Sequence, residues 1–331
     1  MKNEIIDVVF TWVDGNDPIH RAKMKPYLSW QDKYDDIAGK TRYASTGEIY
    51  YSVASVIRFA RFIRKIFIIT PNQTPKDLDK FIENNFPCNK IPIEIINQDV
   101  LFRGYEQILP VFNSLSVETF IWRIPGLSEN FVYMCDDFII LRPISEQDWF
   151  IDDKIVAVGY WRNIRLDKII GNLKPRKNGH KKFRYKDSLI NAAKLLNIKR
   201  QYFFGEHTPM PMKKSDFEKY FTENPQAFLN NANNKFRHPT QFNIQSFTAL
   251  FNHLKQKLVC KNPDCFLFLN HVERGRRYIK KKIRKYENDK NRKIKFCCIG
   301  SMYLAPKENQ NLIFRWLQTT LDLKFTRQFL F

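Results

Sequence analysis

Apolar residues in this chain fall into short runs closed by turn residues, with stretches of helical period between them. Ile5 to Val13 (IIDVVFTWV) is β-branched and aromatic, and it stops at Asp14-Gly15-Asn16-Asp17-Pro18, a strand followed by a tight loop. Residues 19 to 46 are polar and charged and predict a loop or short helix over the sheet. From Ile49, the apolar positions Val53, Val56, Ile57, Ala60 and Ile63 recur at three- and four-residue spacing. They predict an amphipathic helix whose basic residues Arg58, Arg61, Arg64 and Lys65 gather where the helix dipole favours cations. A strand at Ile66 to Thr70 follows at once, so a right-handed parallel crossover is expected. A helix near Pro75 to Asn85 and a strand at Ile91 to Ile96 repeat the unit, and a further helix is expected from about Ser116 to Arg123. Phe131 to Leu141 (FVYMCDDFIIL) then reads as a strand buried on both faces and interrupted by two adjacent carboxylates.

Beyond residue 150 the pattern loosens. Val156 to Trp161 predicts a strand, and Arg162 to Tyr185 is strongly basic, with Gly171, Pro175 and Gly179. That segment suits a substrate loop as well as it suits a solvated insertion. Thr240 to Lys257 is helix-like and Cys265 to Leu269 strand-like. Arg274 to Lys295 is dense in Lys and Arg, and the closing LIFRWLQTTLDLKFTRQFLF is expected to dock on the core. The whole predicts an α/β protein with a mixed, mainly parallel sheet flanked by helices. Residues 1–150 are expected to form a nucleotide-binding half, 151–331 the half that completes a single domain, and 274–331 a basic helical C-terminal part.

At 331 residues and 44% hydrophobic content the chain can bury a full core. No apolar run reaches eighteen residues and no basic-then-apolar leader opens the chain, so a cytoplasmic location is expected. The six cysteines lack a framework spacing and are expected as thiols. A formal charge of +21 points to an anionic partner: nucleic acid, a membrane surface or phosphorylated substrates.

Candidate chemistry begins with Asp136 and Asp137. A carboxylate buried without a partner costs at least several kcal/mol, so a pair at a strand end points to a metal or phosphate-metal site, the alternative being an exposed turn. Asp14 and Asp17 lie in the loop outside the first strand, where open α/β sheets bind nucleotides, although turn chemistry also accounts for Asp-Gly. His207 sits in EHTPMP, where prolines limit the backbone and imidazole is suited to accept a proton from a hydroxyl; a structural role is its alternative. Arg237 brings a guanidinium fork suited to phosphate.

IDVVFTWVDGNDP, the region from Arg42 to Arg64 with Gly47-Glu48, and LPVFNSLSVET through IWRIPGLSENFVYMCDDF together resemble the first two conserved regions of the Stealth family. That family comprises bacterial capsular-polysaccharide phosphotransferases and the hexosamine-1-phosphate transferase of lysosomal enzyme tagging. Glu206 to Pro211 and Phe236-Arg237-His238 resemble its third region. The resemblance implies a single GT-A-like catalytic domain, residues 1–150 its nucleotide-sugar-binding half and 151–331 its acceptor and catalytic half, that uses a UDP-sugar donor and Mg²⁺ or Mn²⁺. It implies donor binding by Thr11, Trp12, Asp14, Gly15, Asn16, Asp17, Arg42, Glu48, Asn113 and Ser114, a metal on Asp136 and Asp137, and catalytic roles for His207, Arg237 and Asp14. The chain departs from the family pattern at Tyr50 and Ala54, where arginines are usual, at Cys135, where Asn is usual, and at Gly300-Ser301, where Asn-Asp is usual.

The expected reaction is transfer of an (N-acetyl)hexosamine 1-phosphate to a hydroxyl of an anionic surface glycan or glycolipid, with UMP leaving. The alternative is a metal-dependent glycosyltransferase that releases UDP. A nucleic-acid-binding role accounts for the charge but not for acidic pairs at strand ends, and no recognition motif for DNA or RNA is present, so no nucleic-acid partner is expected. The basic segment is expected to touch the anionic glycan or the inner face of the cytoplasmic membrane.

Overall fold

In the computed structural model, which describes residues 5–28, 43–172 and 184–324, the first apolar run forms strand β1 (Ile6–Thr11), buried along nearly its whole length. β2 (Lys65–Thr70) and β4 (Asn130–Cys135) flank it in parallel, and β3 (Ile93–Asn97) continues in parallel outside β2. β9 (Met210–Lys213) pairs antiparallel with β4, giving the order β3-β2-β1-β4-β9. Side chains alternate across this sheet. Ile6, Val8 and Phe10 enter one core with the helices Glu48–Phe59 and Lys307–Leu321, while Val9, Phe67 and Ile69 enter a second with the helices Tyr185–Leu195 and Ile244–Leu254.

Asp7 is a charged residue inside β1 and is fully buried. Arg64 reaches back to it through a bidentate pair, with Nε to Oδ1 at 2.8 Å, and the Ser128 amide donates to Oδ2 at 2.8 Å. This contact explains why the helix stops at Phe59: Arg64 is spent fastening the turn before β2 rather than ending a longer helix. Asp7→Ala is expected to destabilise the protein by about 2 kcal/mol, because it leaves the Ser128 amide without its acceptor and Arg64 with only the Gly126 carbonyl at 2.6 Å. Urea unfolding measures this, and an unchanged midpoint would show the pair to be idle.

Two smaller sheets complete the molecule. β7 (Lys154–Asn163) carries β6 (Phe150–Ile151) and β8 (Gln201–Gly205) antiparallel and β10 (Leu258–Lys261) parallel. β12 (Phe296–Ile299) pairs with β11 (Phe266–Leu269) in parallel and with β5 (Phe138–Ile140) antiparallel. Residue 150 is therefore crossed twice, by β9 on β4 and by β12 on β5.

Several elements differ from the sequence expectation. The helix expected from Ser116 to Arg123 is a short one at Ser114–Glu118, started by the Asn113 side chain accepting from the Leu115 amide at 3.1 Å, and then a 3-10 turn at Ile121–Arg123. The basic segment expected as a loop after Arg162 begins as a helix, Ile164–Asn172, because Asp167 gathers Arg162 Nε at 2.9 Å and the Tyr202 hydroxyl at 2.6 Å. Pro175 and Gly179 lie outside the described residues. The C-terminal aromatic segment docks as expected over the residues described: Ile313, Phe314, Leu317 and Leu321 are buried in the first core, and residues 325–331 lie outside the described residues. All six cysteines are free. Among the described residues no helix is long and apolar enough to cross a membrane.

Candidate active site

β1 and β4 end side by side, and their ends open into a cavity of about 590 Å³. Thr11 and Trp12 form one wall. The Thr11 hydroxyl shares a 2.7 Å hydrogen bond with the Tyr133 hydroxyl, and Trp12 Nε1 donates to Ser45 Oγ at 3.2 Å, so both are held by neighbouring side chains.

Asp136 and Asp137 occupy the turn from β4 to β5 and face the cavity. Glu48, buried at the start of its helix, lines the same cavity; its carboxylate accepts from the Thr46 amide and hydroxyl at 2.7 and 2.6 Å. Burial pushes the Asp136 carboxyl well above the carboxylate range, with Asp137 and Glu48 adding repulsion. Burial also raises Asp137, to about 7; Glu48 adds to that rise, and the Cys298 thiol, which donates to Asp137 Oδ2 at 3.4 Å, opposes it. Among the described residues no basic side chain pairs with either aspartate. Repulsion from Glu48 and between the two aspartates, with no basic side chain beside them, makes the fully ionised form of the pair electrostatically unfavourable.

Among the described residues, no three His, Cys, Asp or Glu side chains converge as a ready-made metal cage. That arrangement fits Mg²⁺, which is commonly held by one or two carboxylates together with substrate phosphates rather than by protein alone. Asp136 and Asp137 are the residues that could hold such an ion.

His207 lies between β8 and β9 with its imidazole between two rings, Tyr185 at 5.6 Å and Phe268 at 5.1 Å, both near-parallel, and with Phe138 edge-on at 6.2 Å. The ring lines the cavity, and neither nitrogen has a hydrogen-bond partner among the described residues. Burial lowers its pKa, so the ring is neutral at pH 7. Arg237 also lines the cavity and donates to Ser114 Oγ at 3.0 Å. Asn113 fixes the segment that carries Arg237: its Nδ2 donates to the Phe236 carbonyl at 2.9 Å and to Gln241 Oε1 at 2.7 Å.

The structure brings Thr11, Trp12, Glu48, Asn113, Ser114, Asp136, Asp137, His207 and Arg237 to one cavity. It does not bring Asp14, Gly15, Asn16 and Asp17 to that lining, because their polar groups build the turn itself. The Asp14 amide donates to Gln73 Oε1 at 2.9 Å, and Asp14 Oδ1 accepts from the Asn16 amide at 2.8 Å. The Gly15 amide donates to the Tyr43 carbonyl at 2.7 Å, and a Cβ at Gly15 would overlap Tyr43. Asn16 Oδ1 accepts from Arg21, and Asp17 caps the helix Pro18–Met24 through the Ile19 amide at 2.8 Å. Asp14 is thereby a turn residue rather than a cavity residue. Arg42 lies outside the described residues.

Sequence reasoning missed Glu118, Tyr185 and His20, which line the same cavity. Glu118 is buried; Tyr133 donates to its Oε1 at 3.2 Å, and its Oε2 has no partner among the described residues. Burial raises its pKa, and Arg237 pulls it back. Its signal was a lone carboxylate inside the apolar stretch LSVETF. Gly300 and Ser301, where the chain departs from the family pattern, also line the cavity.

Carboxylates, an imidazole and an arginine thus line a crevice outside strand ends, the place where open α/β sheets bind their ligands. Residues 5–29 match Stealth protein CR1, conserved region 1, and residues 42–158 match Stealth protein CR2, conserved region 2. The capsular polysaccharide phosphotransferase cps1A of Actinobacillus pleuropneumoniae is 34% identical over 270 residues, covering 80% of this chain and 69% of that protein. The capsular polysaccharide phosphotransferase fcs1 of Haemophilus influenzae is 29% identical over 307 residues, covering 88% of this chain and 77% of that one. A structure of LgtC aligns over 97% of this chain and 98% of its own at 9% identity and a TM-score of 0.46. The chain belongs to the Stealth family.

Proposed function

We propose that this chain transfers an (N-acetyl)hexosamine 1-phosphate, or a similar sugar 1-phosphate, from a UDP-sugar to a hydroxyl of an anionic bacterial surface glycan, capsule or lipooligosaccharide, and releases UMP. One observation carries the reading: the Asp136-Asp137 pair, with no basic side chain paired to it among the described residues, the His207 imidazole and Arg237 meet in a single cavity. The family, whose relatives are named capsular polysaccharide phosphotransferases, supports the same reaction class.

His207 takes the proton of the acceptor hydroxyl. The oxygen attacks the β-phosphorus of the donor, the bond from that phosphorus to the bridging oxygen breaks, and UMP leaves with the bridging oxygen while the sugar C1–O bond survives. Arg237, steadied by Ser114, donates to the non-bridging phosphate oxygens on which charge collects. A divalent cation, when bound, supplies positive charge against the diphosphate, and Asp136 and Asp137 hold it. A cytoplasmic location goes with a nucleotide-sugar donor.

The test is to incubate the protein with Mg²⁺, a panel of UDP-sugars and capsule or lipooligosaccharide acceptors, and to identify the nucleotide released. UMP is expected, and chelation with EDTA is expected to abolish its release. UDP would mean attack at C1 and a conventional glycosyltransferase.

A further inference from the structure

The helix Arg276–Glu287 is divided lengthwise. Ile279 and Ile283 are buried in the core, whereas Arg276, Arg277, Lys280, Lys281, Arg284 and Lys285 are exposed. The exposed residues form two rows at four-residue spacing, Arg276-Lys280-Arg284 and Arg277-Lys281-Lys285, side by side on one face. Like charges at that spacing destabilise a helix, and among the described residues none of the six has an acidic partner. Lys290, Arg292 and Lys293, also exposed, extend the same charge past the helix end.

The start of this helix is tied to the chain segment that lines the cavity. Gly300 lines the cavity, and its amide donates to the Leu269 carbonyl at 3.2 Å, at the end of β11. The side chain of Asn309 donates to the Val272 and Arg274 carbonyls at 3.0 and 2.9 Å, tying the start of the helix to the segment after Gly300. Tyr303, in that segment, lines the cavity and is 39% exposed, with no ring contact among the described residues. From that tie the helix runs for 12 residues, about 18 Å.

Resting on the sugar-phosphate reading above, we propose that this cationic face is a track for the reaction's own product, a phosphodiester-linked glycan that leaves the cavity past Tyr303 and lies along the helix. Every transfer converts a hydroxyl into a phosphodiester and adds one negative charge to the acceptor. A growing chain therefore becomes a better ligand for a row of fixed cations, and the protein holds long acceptors in preference to short ones. A membrane surface is the less suitable occupant, because the apolar side of this helix is already buried in the core and leaves nothing to insert.

The full chain is titrated with poly(glycerol phosphate) fragments of graded length, and separately with phosphatidylserine vesicles. Affinity is expected to rise with the number of phosphodiesters and to fall with salt. In the variant K280Q/K281Q/R284Q/K285Q the length dependence is expected to disappear, with at least about tenfold weaker binding of the longest fragment, while UMP release onto a short uncharged acceptor is unchanged. Gln keeps helix propensity, and the pair R276Q/R277Q provides a second, milder variant should the first fail to fold. Length-independent binding, or variants that bind as tightly as the parent, would overturn the proposal. Binding of vesicles but not of phosphodiester chains would overturn it in favour of a bilayer. Failure of the parent protein to release UMP at all sinks the reaction reading instead.

Discussion

Asp137→Asn is expected to lower UMP release by about 10³-fold or more while raising the melting temperature of the metal-free protein at pH 8. The rate loss follows from removing one of two carboxylates placed to hold the cation; a loss of about 4 kcal/mol of charge stabilisation corresponds to that factor. The stability gain follows from the raised carboxyl. Burial, with repulsion from Glu48, lifts Asp137 from the ordinary 3.8 to about 7. Between those values the folded protein binds the proton more tightly than the unfolded chain, so stability falls as pH rises through the window and the penalty is complete above pH 7. Asn carries no charge and escapes it. The gap in melting temperature between variant and parent is therefore largest at pH 8 and closes toward pH 4. Mg²⁺ should raise the melting temperature of the parent and leave that of the variant nearly unmoved. A variant that keeps its rate, or one that loses rate and stability together, would remove Asp137 from the metal site.

The strands of the main sheet were legible because each is a β-branched or aromatic run bounded by turn residues: IDVVFT, KIFIIT and NFVYMC form β1, β2 and β4. Their parallel order followed from the helical-period stretch between the first two. Local helix ends were less legible, since they are set by contacts distant in sequence. Arg64 pairs with Asp7, 57 residues away, and this fixes where the turn before β2 must lie. Asp167 likewise draws Tyr202 to it from 35 residues away and folds a basic stretch that reads as loop.

The candidate site divides in the same way. Asp136, Asp137 and His207 were legible as charged or titratable residues where apolar or rigid surroundings left them conspicuous. The DGND loop reads two ways, because a strand-end loop rich in Asp has the composition of a ligand loop and of a self-satisfied turn alike. Here Gln73 and Tyr43, both distant in sequence, decide for the turn by taking its amides. Tyr185 was illegible for the opposite reason. It ends a lysine-rich stretch, and only the fold lays its ring against His207.

His207→Phe is expected to lower the rate by about 10²- to 10⁴-fold, the usual contribution of a positioned general base, with the melting temperature nearly unchanged. Phe suits this test better than Ala. The imidazole lies stacked between Tyr185 and Phe268 at 5.6 and 5.1 Å, and a phenyl ring can fill that slot, whereas Ala would open a cavity and confuse lost chemistry with lost packing. Donor binding should persist in the variant, because the groups placed to meet the diphosphate, Arg237 and the Asp136-Asp137 pair, are untouched. The parent's pH profile gives a second reading. Burial holds the His207 pKa below the ordinary imidazole value of 6.5, and only the neutral ring accepts a proton. The acid limb that belongs to His207 should therefore rise through a pKa below 6.5, and the His207→Phe variant should lack that limb. A variant that retains both rate and limb would make His207 a packing residue and move the search for the base to Glu118 and His20, which line the same cavity.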